Sequence, residues 1–131
     1  MGDHRLSGMA SVLFTDLVGS TDLMARVGQA AFDDLRRDHF TRLRGAVVQN
    51  GGREVKTLGD GVLVVFDSAS DAVSCAIAMQ QVVGLQAHLA GGPLAIRIGL
   101  SLGEVSFEDG DVFGRAVVEA ARLVSLARGG Q

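Results

Sequence analysis

Cysteine, proline, asparagine, lysine and the larger aromatics are nearly missing from this chain. Its 131 residues include one Cys, one Pro, no Trp, no Tyr, a single Asn (Asn50) and a single Lys (Lys56). One cysteine, Cys75, excludes an internal disulfide framework and any multi-cysteine zinc site. No apolar run approaches the ~18 residues that a membrane span requires. The opening MGDHRLSGMA lacks the apolar centre of a signal peptide. A cytoplasmic domain without a membrane partner is therefore expected. Positive charge is not in excess: 12 Lys+Arg stand against 15 Asp+Glu, for a formal net charge of −3. That balance argues against a general nucleic-acid or anionic-membrane binder. A hydrophobic share of 47% excludes a disordered chain, and 18 glycines call for tight turns or close backbone approaches.

No repeat, linker or low-complexity stretch divides the chain. Residues 1–10 read as an N-terminal extension and 11–131 as one domain. SVLFTD, at 11–16, reads as a short buried strand ending in a carboxylate. VGST then supplies a glycine turn, with Ser20 and Thr21 as N-cap candidates for a helix over 21–28. Phe32, Leu35, His39, Leu43 and Val47 recur at helical spacing over 30–49, and Asn50-Gly51-Gly52 stops that helix. His39 on this apolar stripe reads as a core histidine rather than a ligand. REVKTLG and GVLVVF form a hairpin around Gly59-Asp60-Gly61. A helix begins at Ser68 and Asp71, with core stripe Ala72, Ala76, Met79 and Val83, and GLQAHLAGGP reads as a loop. LAIRIGLSLGEVSF gives one or two strands with bends at Gly99 and Gly103. The last helix, 114–128, carries Val117, Ala121 and Val124 on one face and ends at Gly129-Gly130. The order β-α-α-β-β-α-β-β-α predicts an α+β sheet with helices packed against one face.

Asp16 and Asp60 form the sharpest pair. Each ends a strand pattern and is followed closely by glycine. On neighbouring strands the two carboxylates would converge, and their repulsion would be relieved by a hard cation such as Mg2+ or Mn2+. Two turn-capping aspartates would show the same spacing, so both readings stand here. Gly19-Ser20-Thr21 opens a helix, where free backbone N–H groups could cradle phosphate oxygens.

FTDLVGST, GGREVKTLGDG, RIGLSLGEV and GDVFGRAVVEAARL occur in this order, with the two aspartates 44 residues apart. Together they resemble the class III nucleotidyl cyclase catalytic domain, especially the bacterial adenylyl cyclase type, over residues 11–131. The resemblance implies a ferredoxin-like sheet and conversion of ATP to 3′,5′-cyclic AMP and pyrophosphate. Two divalent ions, Mg2+ or Mn2+, would be held by Asp16, Asp60 and the backbone carbonyl of Leu17. Gly19, Ser20 and Thr21 would lie at the phosphates. Lys56 and Asp111 match the adenine-selecting pair, which gives the lone lysine a reason. Arg122 matches the arginine that stabilises charge at the α-phosphate. The implied assembly is a head-to-tail homodimer, or a pair with a complete cyclase partner, each site drawing residues from both chains.

Two features depart from the family pattern. An asparagine is expected four residues before the arginine, and here that position is Val118, which cannot donate a hydrogen bond. The pattern also continues past the last helix into at least one further strand, without which a sheet edge is exposed. Weak or conditional adenylyl cyclase activity is the expectation. The alternative is a non-catalytic homologue that acts as a dimerising or regulatory module. A diguanylate cyclase would use similar two-metal logic, but its GGDEF-type signature is absent.

Overall fold

The structure is a computed structural model that describes residues 6–90 and 94–131. Its elements follow the expected order. They are β1 (Leu6–Val18), α1 (Ser20–Val27), α2 (Gln29–Gln49), β2 (Arg53–Leu58), β3 (Gly61–Phe66), α3 (Ala69–Ala90), β4 (Ala95–Glu108), β5 (Asp111–Phe113) and α4 (Arg115–Leu126). The strands form one antiparallel sheet in the order β2-β3-β1-β4-β5. Each helical crossover skips one strand position: β1 to β2 skips β3, and β3 to β4 skips β1. That is the ferredoxin-like arrangement.

Alternation along the strands sorts the core into two clusters. Leu13, Val62, Val64 and Ile96 face α1, α2 and α3, meeting Leu23, Leu43, Val47 and Met79. Val12, Leu63 and Val65 point the other way, toward Ala116 and Ala120 of α4. Helices α1, α2 and α3 therefore pack together on one face, and α4 sits apart from them over the second cluster. Among the described residues, no helix is long and apolar enough to cross a membrane.

Several expectations shift. Strand β1 begins at Leu6, so the second half of the expected 1–10 extension lies in the sheet, paired residue by residue with β4 from Leu6↔Phe107 onward. Residues 1–5, with His4, lie outside the described residues. GLQAHLA is the last part of α3 rather than a loop, because Gln86 is drawn into the helix interface by partners distant in sequence; 91–93 lie outside the described residues. In α3 the buried stripe includes Cys75, with Ala76 only partly buried. On α4 the buried residues are Ala116, Ala120 and Val124, while Ala121 is exposed. Close approach selects this stripe: a Cβ at Gly99 would strike the Ala120 carbonyl oxygen, and one at Gly103 would lie 3.2 Å from the Ala116 Cβ. Small residues, rather than the largest apolar ones, face the sheet there. Past α4, Gly130 N–H donates to Ile96 O at 2.8 Å and Ile98 N–H to Gln131 O at 2.7 Å.

His39 is 1% exposed and lies between α2 and α3. Gln86 Nε2 donates to Leu35 O at 3.0 Å, which aims Gln86 Oε1 at His39 Nδ1, 3.3 Å away. The ring therefore donates from Nδ1, and its buried Nε2 has no partner among the described residues. Burial holds the imidazole below its ordinary value of 6.5. The unfolded chain thus takes up a proton where the folded chain does not, so stability falls as pH drops through the ordinary histidine range. Thermal unfolding followed from about pH 7.5 to about pH 5 should show this loss, and His39→Gln should remove most of it. An equal decline in both proteins would contradict the assignment.

Candidate active site at the β1 and β3 strand ends

Strands β1 and β3 pair antiparallel with Phe14 opposite Leu63. Val62 N–H donates to Thr15 Oγ1 at 3.0 Å. A Cβ on Gly61 would run into the Thr15 carbonyl oxygen and lie 3.5 Å from the Asp16 Cα. Asp60 therefore sits one residue from a glycine pressed against the Asp16 backbone. Leu58 and Gly61 pair across the two-residue loop, whose first residue, Gly59, has φ 59°. Glycine at that position suits the twist of a tight hairpin. The structure thus places both aspartates at one end of neighbouring strands. By alternation Asp16 shares a face with Val12 and Phe14, the face that carries α4.

Two carboxylates so placed repel each other, and each is met by a guanidinium. Asp16 pairs in register with Arg97 of β4, whose Nη2 donates to Asp16 Oδ2. Arg36 of α2 donates from Nε to Asp60 Oδ1 at 2.6 Å and from Nη2 to Gly59 O at 3.1 Å.

Beside Asp16 lies a cavity of about 630 Å³, lined by residues 17–22, Arg97 and Arg128 among others. Helix α1 starts from Gly19, at φ 83°, with no side-chain cap. Ser20 and Thr21, expected as N-caps, are instead its first helical residues, and the backbone N–H groups of that turn lack intrahelical acceptors. Orphan N–H donors and two guanidiniums, one of them held by Asp16, outweigh the single lining carboxylate, Asp22, and favour an anion with several oxygens.

Lys56 and Asp111 lie on β2 and β5, at opposite ends of the strand order, yet Lys56 Nζ donates to Asp111 Oδ2 at 2.9 Å. The sheet curls until its two edges meet, and Arg53 stacks 5.0 Å over the Phe107 ring at the same closure. The Lys56 ammonium, followed by the Val112 N–H, which donates to Asp111 Oδ1 at 2.7 Å, holds the Asp111 carboxyl below the ordinary aspartate range. Both side chains keep about a third of their surface or more in solvent, 40% and 32%, and so remain accessible to a ligand.

Val118 and Arg122 share the exposed side of α4 with Arg115, Val118 being 58% exposed. Among the described residues the Arg122 guanidinium makes no hydrogen bond or ion pair. The structure therefore sets Asp16 and Asp60 at neighbouring strand ends, with Gly19 to Thr21 lining a cavity that neither aspartate lines, and brings Lys56 and Asp111 together elsewhere. Arg122 is bonded to neither group and does not line the cavity. Reasoning from sequence missed Arg36 and Arg97. Arg97 carries a weak signal, an isolated charge between Ile96 and Ile98 in an apolar strand pattern. Arg36 carries none, because it resembles every other arginine on α2.

Comparison with known proteins agrees with this architecture. Residues 3–131 match the family model of the adenylate and guanylate cyclase catalytic domain. The chain is 39% identical over 121 residues to putative adenylate cyclase 3 of Rhizobium meliloti, covering 91% of this chain and 21% of that protein. It is also 39% identical over 127 residues to an adenylate cyclase of Streptomyces coelicolor, covering 97% and 31%. Among solved structures, the P. aeruginosa adenylyl cyclase CyaB superposes with a TM-score of 0.86 at 26% identity, over 96% of this chain and 76% of that one. The chain belongs to the class III nucleotidyl cyclase family. It spans about a fifth to a third of the length of these curated relatives.

The contact of Gly61 with Thr15 gives a direct check on the paired strand ends. Gly61→Ala should destabilise the domain by about 2–4 kcal/mol, because backbone rather than a flexible side chain must yield. Denaturant unfolding measures this; a loss under about 0.5 kcal/mol, the size of a neutral surface change, would show that the strands do not meet as described.

Proposed function

We propose that this chain is an adenylyl cyclase catalytic domain that converts ATP to 3′,5′-cyclic AMP and pyrophosphate. The observation that carries the reading is the Lys56–Asp111 pair, one ammonium beside one carboxylate at 2.9 Å. Adenine offers an acceptor at N1 and donors at its exocyclic amine, so an ammonium and a carboxylate match it. Guanine presents N–H and a carbonyl at those positions, which reverses the match. A cytoplasmic location, where ATP is available, goes with this assignment.

The rest of the site can be assigned on the same chemistry. Gly19 to Thr21 and Arg97 line the cavity that suits a polyphosphate, with Ser20 and Thr21 able to donate from backbone and hydroxyl. The Asp16 and Asp60 carboxylates on neighbouring strand ends, with the Leu17 carbonyl, are hard oxygen donors, too few for a closed cage. They suit ions of the Mg2+ or Mn2+ kind, which complete their shells with water and substrate phosphates. Such ions, two per site, would neutralise phosphate charge and make the ribose 3′-hydroxyl a better nucleophile. The 3′-oxygen attacks the α-phosphorus in line, its proton passes to solvent, and pyrophosphate leaves. Arg122 donates to the α-phosphate oxygens as charge builds there. Because the cavity is not lined by Lys56, Asp111 or Arg122, a head-to-tail homodimer, or pairing with a complete cyclase, would bring the two halves of a site together.

Val118, exposed on the same side of α4 as Arg122, favours a second reading: a domain that has lost turnover and serves as a dimerising or regulatory module. A missing oriented donor costs on the order of 10²–10³ in rate. Product analysis of purified protein with ATP and Mn2+ separates the readings. Cyclic AMP should form slowly, with ATP preferred to GTP, and Val118→Asn should raise turnover more than about tenfold with little change in KM. No product from either protein at high concentration would support the regulatory module instead.

A further inference from the structure

Arg36 is gripped from three sides. Its Nε donates to Asp60 Oδ1 at 2.6 Å, its Nη2 to Gly59 O at 3.1 Å, and its guanidinium lies 5.3 Å from the centre of the Phe40 ring. Arg44 of α2 likewise leaves the helix, for Glu54 of β2, and lies over the same Phe40 ring, but two other arginines of α2 behave differently. Arg37 pairs with Asp34 and Arg42 with Asp38 within one helical turn, the ordinary surface pattern. Arg36 instead reaches 24 residues along the chain to the β2–β3 turn. The proposed chemistry makes no use of it.

The purpose of such a grip follows from charge. Without a cation, Asp60 stands near Asp16 at one end of the sheet, and the turn that carries it is only Gly59-Asp60. An unpaired carboxylate there would swing toward water. We infer that Arg36 is a positioning residue that holds Asp60 in place while no metal is bound, so that metal loading is an exchange of guanidinium for a divalent cation. This inference rests on the reading of Asp60 as a metal ligand. When displaced from Asp60, Arg36 retains the Gly59 carbonyl and the Phe40 face, so the turn stays anchored during exchange. The consequence is a lowered affinity for the free cation, because it must compete for Asp60 Oδ1 and approach a fixed positive charge.

Mn2+ binding without nucleotide, followed by electron paramagnetic resonance, tests this with no reference to turnover. Arg36→Gln should bind Mn2+ about threefold to tenfold more tightly than the unaltered chain, the range of a half-exposed charge-assisted pair. Arg36→Lys, which keeps the charge, should stay within about twofold of the unaltered chain. Asp60→Asn serves as the control and should weaken binding. If Asp60→Asn weakens binding but Arg36→Gln leaves it equal or weaker, the exchange is wrong and Arg36 merely braces the turn. If Asp60→Asn changes nothing, or neither the unaltered chain nor Arg36→Gln binds Mn2+, the metal reading itself fails and this inference with it.

Discussion

Strand β1 runs between β3 and β4 with Val12 and Leu13, adjacent and on opposite faces, both fully buried. Burial on both faces leaves the strand one workable register, since a slip of one residue would exchange the two sets of side chains. Everything chemical in the domain hangs from that register. It sets Asp16 opposite Arg97 on one side and beside Gly61 on the other. It also aims Asp16 at the face where α4 lies rather than into the core under α1 to α3. The thirteen consecutive pairs between β1 and β4, from Leu6↔Phe107 to Val18↔Ala95, make this arrangement stiff.

Charge compensation is the second organising feature. Each candidate metal-binding carboxylate is met by an arginine from a separate element, Arg97 from β4 and Arg36 from α2. The lone lysine is used elsewhere, closing the curled sheet against Asp111. Arginine suits the first task because its fork can hold a carboxylate and a backbone carbonyl together, as Arg36 does. A compact ammonium suits the second if it is to turn toward a single ring nitrogen. The composition that looks like simple arginine bias thus separates two kinds of work.

Much of this was legible in the sequence, and the rest was hidden for identifiable reasons. Local chemistry was enough for the β2–β3 hairpin, because Gly59-Asp60-Gly61 lies between two strand-like runs, and for α2, whose apolar stripe is unbroken from Phe32 to Val47. Long-range partners decided the errors. Gly84 looks like punctuation, but Gln86 is bound by Leu35 and His39 from α2, and the helix continues. The face of α4 is chosen by glycines on β4, 21 residues away for Gly99 and Ala120 and 13 for Gly103 and Ala116, so apolar size misled. Gly19, rather than Ser20 or Thr21, precedes α1, which leaves the N–H groups of its first turn uncommitted beside the cavity. The proximity of Lys56 and Asp111 came from the family resemblance; nothing local in either strand reveals that opposite sheet edges meet. Arg36 and Arg97 became visible only when register and packing were fixed.

The central claim is that Asp16 and Asp60 act as one site for a divalent cation and a nucleotide. Mn2+ resonance in the presence of a non-hydrolysable ATP analogue tests it most directly, comparing the unaltered chain with Asp16→Asn and with Asp60→Asn. The expected result is a protein-bound Mn2+ signal that the analogue strengthens and that both variants weaken while each remains folded. Equal signals in all three proteins would contradict it.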